Sequence, residues 1–194
     1  MASGRRTVLG VMALATAVLA AACSTGGGQS AQDGAASAAS APATSSLSAA
    51  TDFRFPLYQG SEHVGGHSEV SLADFEGKAL VLNFWAPLCP PCRAEMPDFE
   101  RLWQEHQDEG LVVLGVDVGA FTGLGDTEQA VEFLQQIGVT YPTGQAASAQ
   151  ILRDYRALGM PTTVSVTRDG GAFKTWSGAL NASKLNELAD QLLQ

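Results

Sequence analysis

Three cysteines in 194 residues are too few for a disulfide framework, and a chain of this length does not need one to bury a core. Positive charge is also scarce. Lysine and arginine number 11 against 20 acids, a net charge of −9, and they cluster only at Arg5-Arg6. A phosphate backbone demands a basic surface, so no nucleic-acid partner is expected. The acidity favours solubility and selects no particular partner. A second closely spaced cysteine pair, which a paired zinc site would use, is missing, and so is any internal repeat.

The first apolar run is "VLGVMALATAVLAAAC", residues 8–23, behind Arg5 and Arg6. It is short and Ala-rich, and Ser/Gly-rich sequence follows at once, so it reads as a processed export signal rather than a retained spanning helix. "LAAAC" resembles a bacterial lipoprotein box, in which cleavage precedes a cysteine that carries the lipid; here that residue is Cys23. The aliphatic residue of such boxes, three positions earlier, is Ala20 here, with Leu19 one step before it. Simple cleavage nearby and an uncleaved anchor are the alternatives. "RRTVL" loosely resembles a twin-arginine export motif, although paired arginines are ordinary in any such region. Losing this segment would leave the remainder two charges more negative than −9.

The organisation is thus a signal over 1–22, an anchor cysteine with a flexible Ser/Ala/Gly-rich linker over 23–50, and one domain over 51–194. Nothing in the linker can be buried, and its small polar residues make a tether.

In the domain, "ALVLNFWA" (79–86) and "LVVLGVDVG" (111–119) read as central strands covered on both faces. A helix is expected after each. Cys92, Met96, Phe99 and Trp103 recur at helical spacing, as do Val131, Leu134 and Ile137. Asp126 with Gln129 suits a reciprocal N-cap, and Gly138 a helix stop. A helix near Ser148–Leu158 precedes "TTVSV", the turn "RDGG" and the return strand "AFKTW". Leu185, Leu188, Ala189 and Leu192 form the stripe of a closing helix capped by Asn181. "FRFPLYQG" to "VSLADFEGK" adds a strand or hairpin in front. The class is α/β, a mixed sheet with helices on both faces.

Three roles are open to Cys89 and Cys92 in "APLCPPCRAEMP". Zinc wants four ligands, and Cys23, His63, His67 and His106 do not supply a matching second half. A staple closing so short a loop yields only about 2 kcal/mol, against about 4.7 for a loop of 100 residues. Redox chemistry fits best. A helix starting at Pro90 or Pro91 leaves Cys89 at its N-terminus, where free N–H groups and the dipole favour a thiolate. Cys92, one turn in, would then resolve a mixed disulfide. Pro97 falls inside the helix and costs it a hydrogen bond, so a kink is expected. Glu95 either relays the proton of Cys92 or is a solvated glutamate in the helix's first turn.

"LVLNFWAPLCPPCRAEMP", "LADFEGKAL" and "YRALGMPTTVSVTRDG" together resemble the extracytoplasmic thioredoxin-fold thiol-disulfide oxidoreductases of the TlpA/ResA/DsbE type, over about residues 53–193. The resemblance implies a thioredoxin-like fold and thiol-disulfide exchange without a cofactor. Cys89 matches the nucleophile, Cys92 the resolving cysteine and Glu95 the active-site glutamate. Pro161 matches the cis-proline beside the disulfide, and Met160 the residue whose backbone binds an extended substrate. Trp85 matches an aromatic beside the turn. Two departures stand out. Asn83 replaces the buried aspartate of thioredoxin, as in many extracytoplasmic relatives. Leu88 replaces the tryptophan that many relatives carry before the first cysteine, which alters the apolar shelf there.

Implied partners are cysteine-containing exported proteins or apocytochromes, plus a membrane redox partner. The implied place is the periplasm or cell-wall space, with a lipid anchor in the cell membrane. Family members run as reductants or oxidants, and the leaning here is toward a reductant, possible in cytochrome c maturation. A disulfide-forming oxidase is the alternative. A thiol peroxidase would want Thr and Arg around its cysteine, a motif absent from "APLCPPCR". A metal- or haem-handling protein would want a ligand near the pair, and Met96 is accounted for as core.

Overall fold

A computed structural model of the chain describes residues 49–194. The expected signal segment, Cys23 and the expected linker up to residue 48 lie outside the described residues. Seven strands form one sheet: β1 (Arg54–Gln59), β2 (Glu69–Ser71), β3 (Ala79–Trp85), β4 (Leu111–Asp117), β5 (Thr143–Gln145), β6 (Thr162–Val166) and β7 (Ala172–Ser177). Their order is β2-β1-β5-β4-β3-β6-β7. β3 runs parallel to β4 and antiparallel to β6, so the sheet is mixed and the fold thioredoxin-like, as expected.

Every residue of β3 is buried, which explains its unbroken apolar run. Its alternation decides which core each side chain enters. Ala79, Val81 and Trp85 pack under α1 (Pro90–His106), α3 (Thr127–Ile137) and α5 (Ala182–Leu192). Leu80, Leu82 and Phe84 face the opposite layer with Ile151 of α4 (Gln150–Asp154) and Tyr155. Each buried Val, Leu, Ile or Phe among them contributes about 1.5–3 kcal/mol. A one-residue slip would exchange the two sets.

The caps act as their residue types dictate. Asp126 Oδ1 accepts from Gln129 N at 3.0 Å, and the Gln129 side chain accepts from Asp126 N at 3.1 Å. Gly138 closes α3 at φ 67°, and Asn181 caps α5 through Lys184 N. The four apolar residues expected on α1 and the four on α5 are buried. On α3 the buried face is instead Ala130, Phe133 and Leu134; Val131 and Ile137 lie at its edge, because Phe133 turns inward onto Trp85.

Three features differ from the sequence reading. A short α2 (Gly119–Thr122) follows β4. The helix expected over Ser148–Leu158 lasts only from Gln150 to Asp154, since Arg156 adopts φ 51°. β5 was not anticipated. It joins the front hairpin to the sheet, antiparallel to β1 and parallel to β4. Gly144 is required there: a Cβ would fall 1.9 Å from the Pro56 carbonyl oxygen.

Candidate active site

Cys89 is the N-cap of α1, with Pro90 and Pro91 as its first two helical residues. Proline fits there because the missing N–H groups would have no helical partner. The Cys89 sulfur accepts from the Cys92 N–H at 3.3 Å, and the two cysteines form a disulfide with Cα atoms 5.3 Å apart. The turn therefore stands where sequence placed it, between a buried strand and a helix start.

The two sulfurs have different surroundings. Both cysteines are buried, Cys89 at 3% and Cys92 at 0% exposed, but Cys89 lines an open groove with Pro90, Pro91, Leu124, Leu158 and Met160 and Cys92 does not. Leu158, on the groove, is 93% exposed, and Leu88, the residue before Cys89, is 50% exposed. The Leu88 N–H donates to the Leu124 carbonyl at 2.8 Å, which fixes one wall of the groove against the segment before the cysteines. The Met160-Pro161 peptide bond is cis, Met160 lines the groove and Pro161 is buried.

Glu95 is 2% exposed, which overturns the solvated alternative. Oε1 accepts from Asn83 Nδ2 and Oε2 from the Leu180 N–H, each at 2.8 Å. Burial pushes its carboxyl up to about 7, against those two hydrogen bonds, which favour the charged form. Asn83, at the position of thioredoxin's aspartate, thus serves as a donor to Glu95.

Trp85, the aromatic that the resemblance puts beside the turn, does not line the groove. Its ring is fully buried, 5.9 Å from Phe133 between centroids, so it supports the turn from behind. His63 packs edge-on against Trp103 at 5.2 Å.

Two supporting residues escaped the sequence reading. Arg93 donates to the Pro87 carbonyl at 3.0 Å and lies 3.8 Å over the Phe133 ring, tying the turn to α3. Asp117, at the end of β4, accepts from Gly119 N at 2.8 Å and Tyr58 Oη at 3.0 Å; burial pushes it up to about 6. An apolar strand ending in a lone acid was the only available signal for Asp117, and none marked the partner of Arg93.

A model of the AhpC/TSA family matches residues 48–171. The thiol-disulfide oxidoreductase ResA of Oceanobacillus iheyensis is 35% identical over 148 residues, 74% of this chain and 72% of that protein. The chain belongs to the ResA-type thiol-disulfide oxidoreductases of the AhpC/TSA family. A ResA-type chain from Geobacillus kaustophilus is 31% identical, over 69% of this chain and 70% of the relative. Among solved structures, a thiol:disulfide interchange protein DsbE from Chlorobium tepidum superposes with TM-score 0.65 at 27% identity, over 77% of this chain and 98% of that one. The pneumococcal exposed lipoprotein thioredoxin Etrx1 from Streptococcus pneumoniae gives TM-score 0.60 at 26% identity, over 73% of this chain and all of that one. This ResA-type chain is therefore an enzyme of thiol-disulfide exchange, acting through its Cys89–Cys92 pair. Among the described residues no helix is long and apolar enough to cross a membrane.

Proposed function

We propose that the protein is an exported reductant of protein disulfides, in which Cys89 attacks and Cys92 resolves. The observation carrying this reading is the asymmetry of the pair: Cys89 borders the groove and caps the helix, while Cys92 is enclosed. In the reduced enzyme the helix N-terminus favours the Cys89 thiolate. That thiolate attacks the substrate disulfide; one substrate sulfur leaves as a thiolate and takes up a proton, and a mixed disulfide forms. Cys92 then gives its proton to the Glu95 carboxylate and attacks the Cys89 sulfur. The internal disulfide closes, the second substrate sulfur departs, and the substrate has gained two electrons. With its carboxyl near 7, Glu95 is suited to take and release a proton around neutral pH.

The substrate lies in extended form along Met160 and Pro161, with its apolar residues against Leu88 and Leu158. Trp85 acts only as support. Substrates are cysteine-containing exported proteins, apocytochromes among them, and a membrane redox partner restores the thiols. Cys23 carries the lipid and the linker over 23–50 gives the domain its reach; the similarity to an exposed lipoprotein thioredoxin supports that placement. The deciding experiment is the reduction potential of the Cys89–Cys92 couple, measured against glutathione and dithiothreitol buffers. A value well below about −200 mV is expected, whereas one near about −120 mV would make the protein an oxidase.

A further inference from the structure

β7 is the last strand on its side of the sheet, and its outer edge is open along most of its length. Among the described residues only Ala49 pairs there, in an antiparallel bridge to Gly171, with Ala50 N donating to the Gly170 carbonyl at 2.9 Å. At the other end of the strand, Gly178 N donates to the Pro161 carbonyl, which makes Thr162 and Ser177 a non-hydrogen-bonded pair. Bonded and non-bonded pairs alternate, so Ser177 and Thr175 turn their N–H and C=O groups away from β6. Both residues are exposed. Such an edge is a template for one more strand.

The chain itself leads to that edge. Tyr155 Oη donates to the Thr51 carbonyl at 2.6 Å and Leu72 N to the Asp52 carboxylate at 2.9 Å, so residues 50–52 are held where they enter the domain. Traced back from the Ala49 bridge, an antiparallel partner of β7 passes from Gly171 toward Ser177. The residues concerned, 43–48, lie outside the described residues and read ATSSLS: uncharged, without Gly or Pro, and preceded by Pro42 as a stop. Leu47 is the one large apolar side chain between Cys23 and Ala49. Strand alternation puts it on the face of Ala49, opposite the face on which Ala50 meets the core. Trp176, 37% exposed and 5.4 Å from the Lys184 ammonium of α5, stands on that same face as Leu47.

We propose that residues 43–48 add a further strand to the sheet, antiparallel to β7, with the Ala49–Gly171 bridge as its first rung and Leu47 on the Trp176 side. The occupant is this chain rather than a second copy. A net charge of −9 repels a second copy, whereas residues 43–48 are neutral and are kept at the edge by Ala49. The strand changes where the tether joins the domain. Held at Ala49 alone, it would leave from the hairpin end of β6 and β7; with the strand formed it leaves beside Ser177, whose partner Thr162 follows the cis Met160-Pro161 bond. Met160 lines the Cys89 groove, so this is the end that a membrane redox partner has to reach. The tether then spans only residues 23–42, roughly 25 Å root-mean-square. That consequence rests on the proposed anchor at Cys23; the strand pairing does not.

The test is amide hydrogen exchange, read residue by residue by NMR, on the exported chain over residues 23–194 with Cys23→Ser. One of two adjacent strand residues must turn its N–H to β7, and proline has none to offer, so Ser46→Pro and Leu47→Pro are compared with wild type. The Thr175 amide is expected to exchange about tenfold more slowly in wild type than in at least one proline variant, the effect of roughly one hydrogen bond. Amides of β3 and α1 should exchange alike in all three proteins, because both substitutions lie ahead of the domain. Equal Thr175 rates in all three overturn the proposal. So does a slowing that grows with protein concentration and survives both prolines, which assigns the edge to a second copy. The reduction potential of Cys89–Cys92 is measured separately, so losing the strand leaves the redox reading in place.

Discussion

Glu95 and Asp117 are both buried acids on the side of the sheet that carries Trp85, and burial pushes both upward, to about 7 and about 6. Their neighbourhoods differ. Glu95 stands on α1, three residues beyond the enclosed sulfur of Cys92, held by the Asn83 amide and the Leu180 N–H. Asp117 is held by Gly119 N–H and the Tyr58 hydroxyl, and it sets the turn into the α2 segment that meets Leu88. Desolvation alone therefore does not single out an acid for proton transfer. Position relative to the reacting sulfurs separates a group suited to the chemistry from one that shapes a wall of the groove.

The sharpest way to break the comparison is at the sulfurs themselves. Cys89→Ser should abolish turnover, and Cys92→Ser should accumulate mixed disulfides visible by non-reducing electrophoresis and mass spectrometry. Full turnover without Cys92 would leave Glu95 no proton to receive, and the two acids would become equivalent. Next in size, Glu95→Gln should slow the resolving step on the order of 100-fold. Asp117→Asn should stay within roughly threefold in kcat, because it touches no reacting atom; stopped-flow fluorescence distinguishes the two, and equal losses would erase the distinction.

Their shared feature has its own test. Both folded-state values are raised, so the stabilisation these acids contribute is present at low pH and lost as pH climbs from about 4 through about 6 for Asp117 and about 7 for Glu95. Urea unfolding at pH 4.5, 6 and 7.5 should show the wild type weakening across that range, with Glu95→Gln and Asp117→Asn each flattening its own part. A wild-type stability that rises over the same interval would contradict the burial argument. The smallest expected effect lies on the rim. Leu158→Ser at a position 93% exposed should change stability by less than about 0.5 kcal/mol. It should still raise KM for an apolar peptide about fivefold, part of the ~1.5–3 kcal/mol of burying a whole leucine; an unchanged KM would remove Leu158 from the substrate groove.

Much of this architecture was legible beforehand. The two apolar runs became β3 and β4, the Asp126–Gln129 and Asn181 caps formed where their spacing put them, and Cys89 took the helix N-terminus. Each of these is set by residues within a few positions of one another. β5 was not legible, because a three-residue strand containing Gly144 carries no alternation, and its pairing with β1 depends on a close backbone approach. The α3 stripe was misplaced by one position, since local spacing alone does not reveal that Phe133 turns inward to meet Trp85.

Sequence by itself determined the strand–turn–helix junction with a cysteine at the helix start, because periodicity, caps and proline tolerance act locally. It also carried the family pattern that identified Glu95 and Pro161. Tertiary structure decided what those residues experience. The enclosure of Cys92, the burial that raises Glu95 and Asp117, and the meeting of Glu95 with Asn83 and Leu180 come from segments 12 to 85 residues apart being brought together. Desolvation and long-range hydrogen bonds exist only after packing, so a sequence pattern can name such residues but cannot supply their acidity.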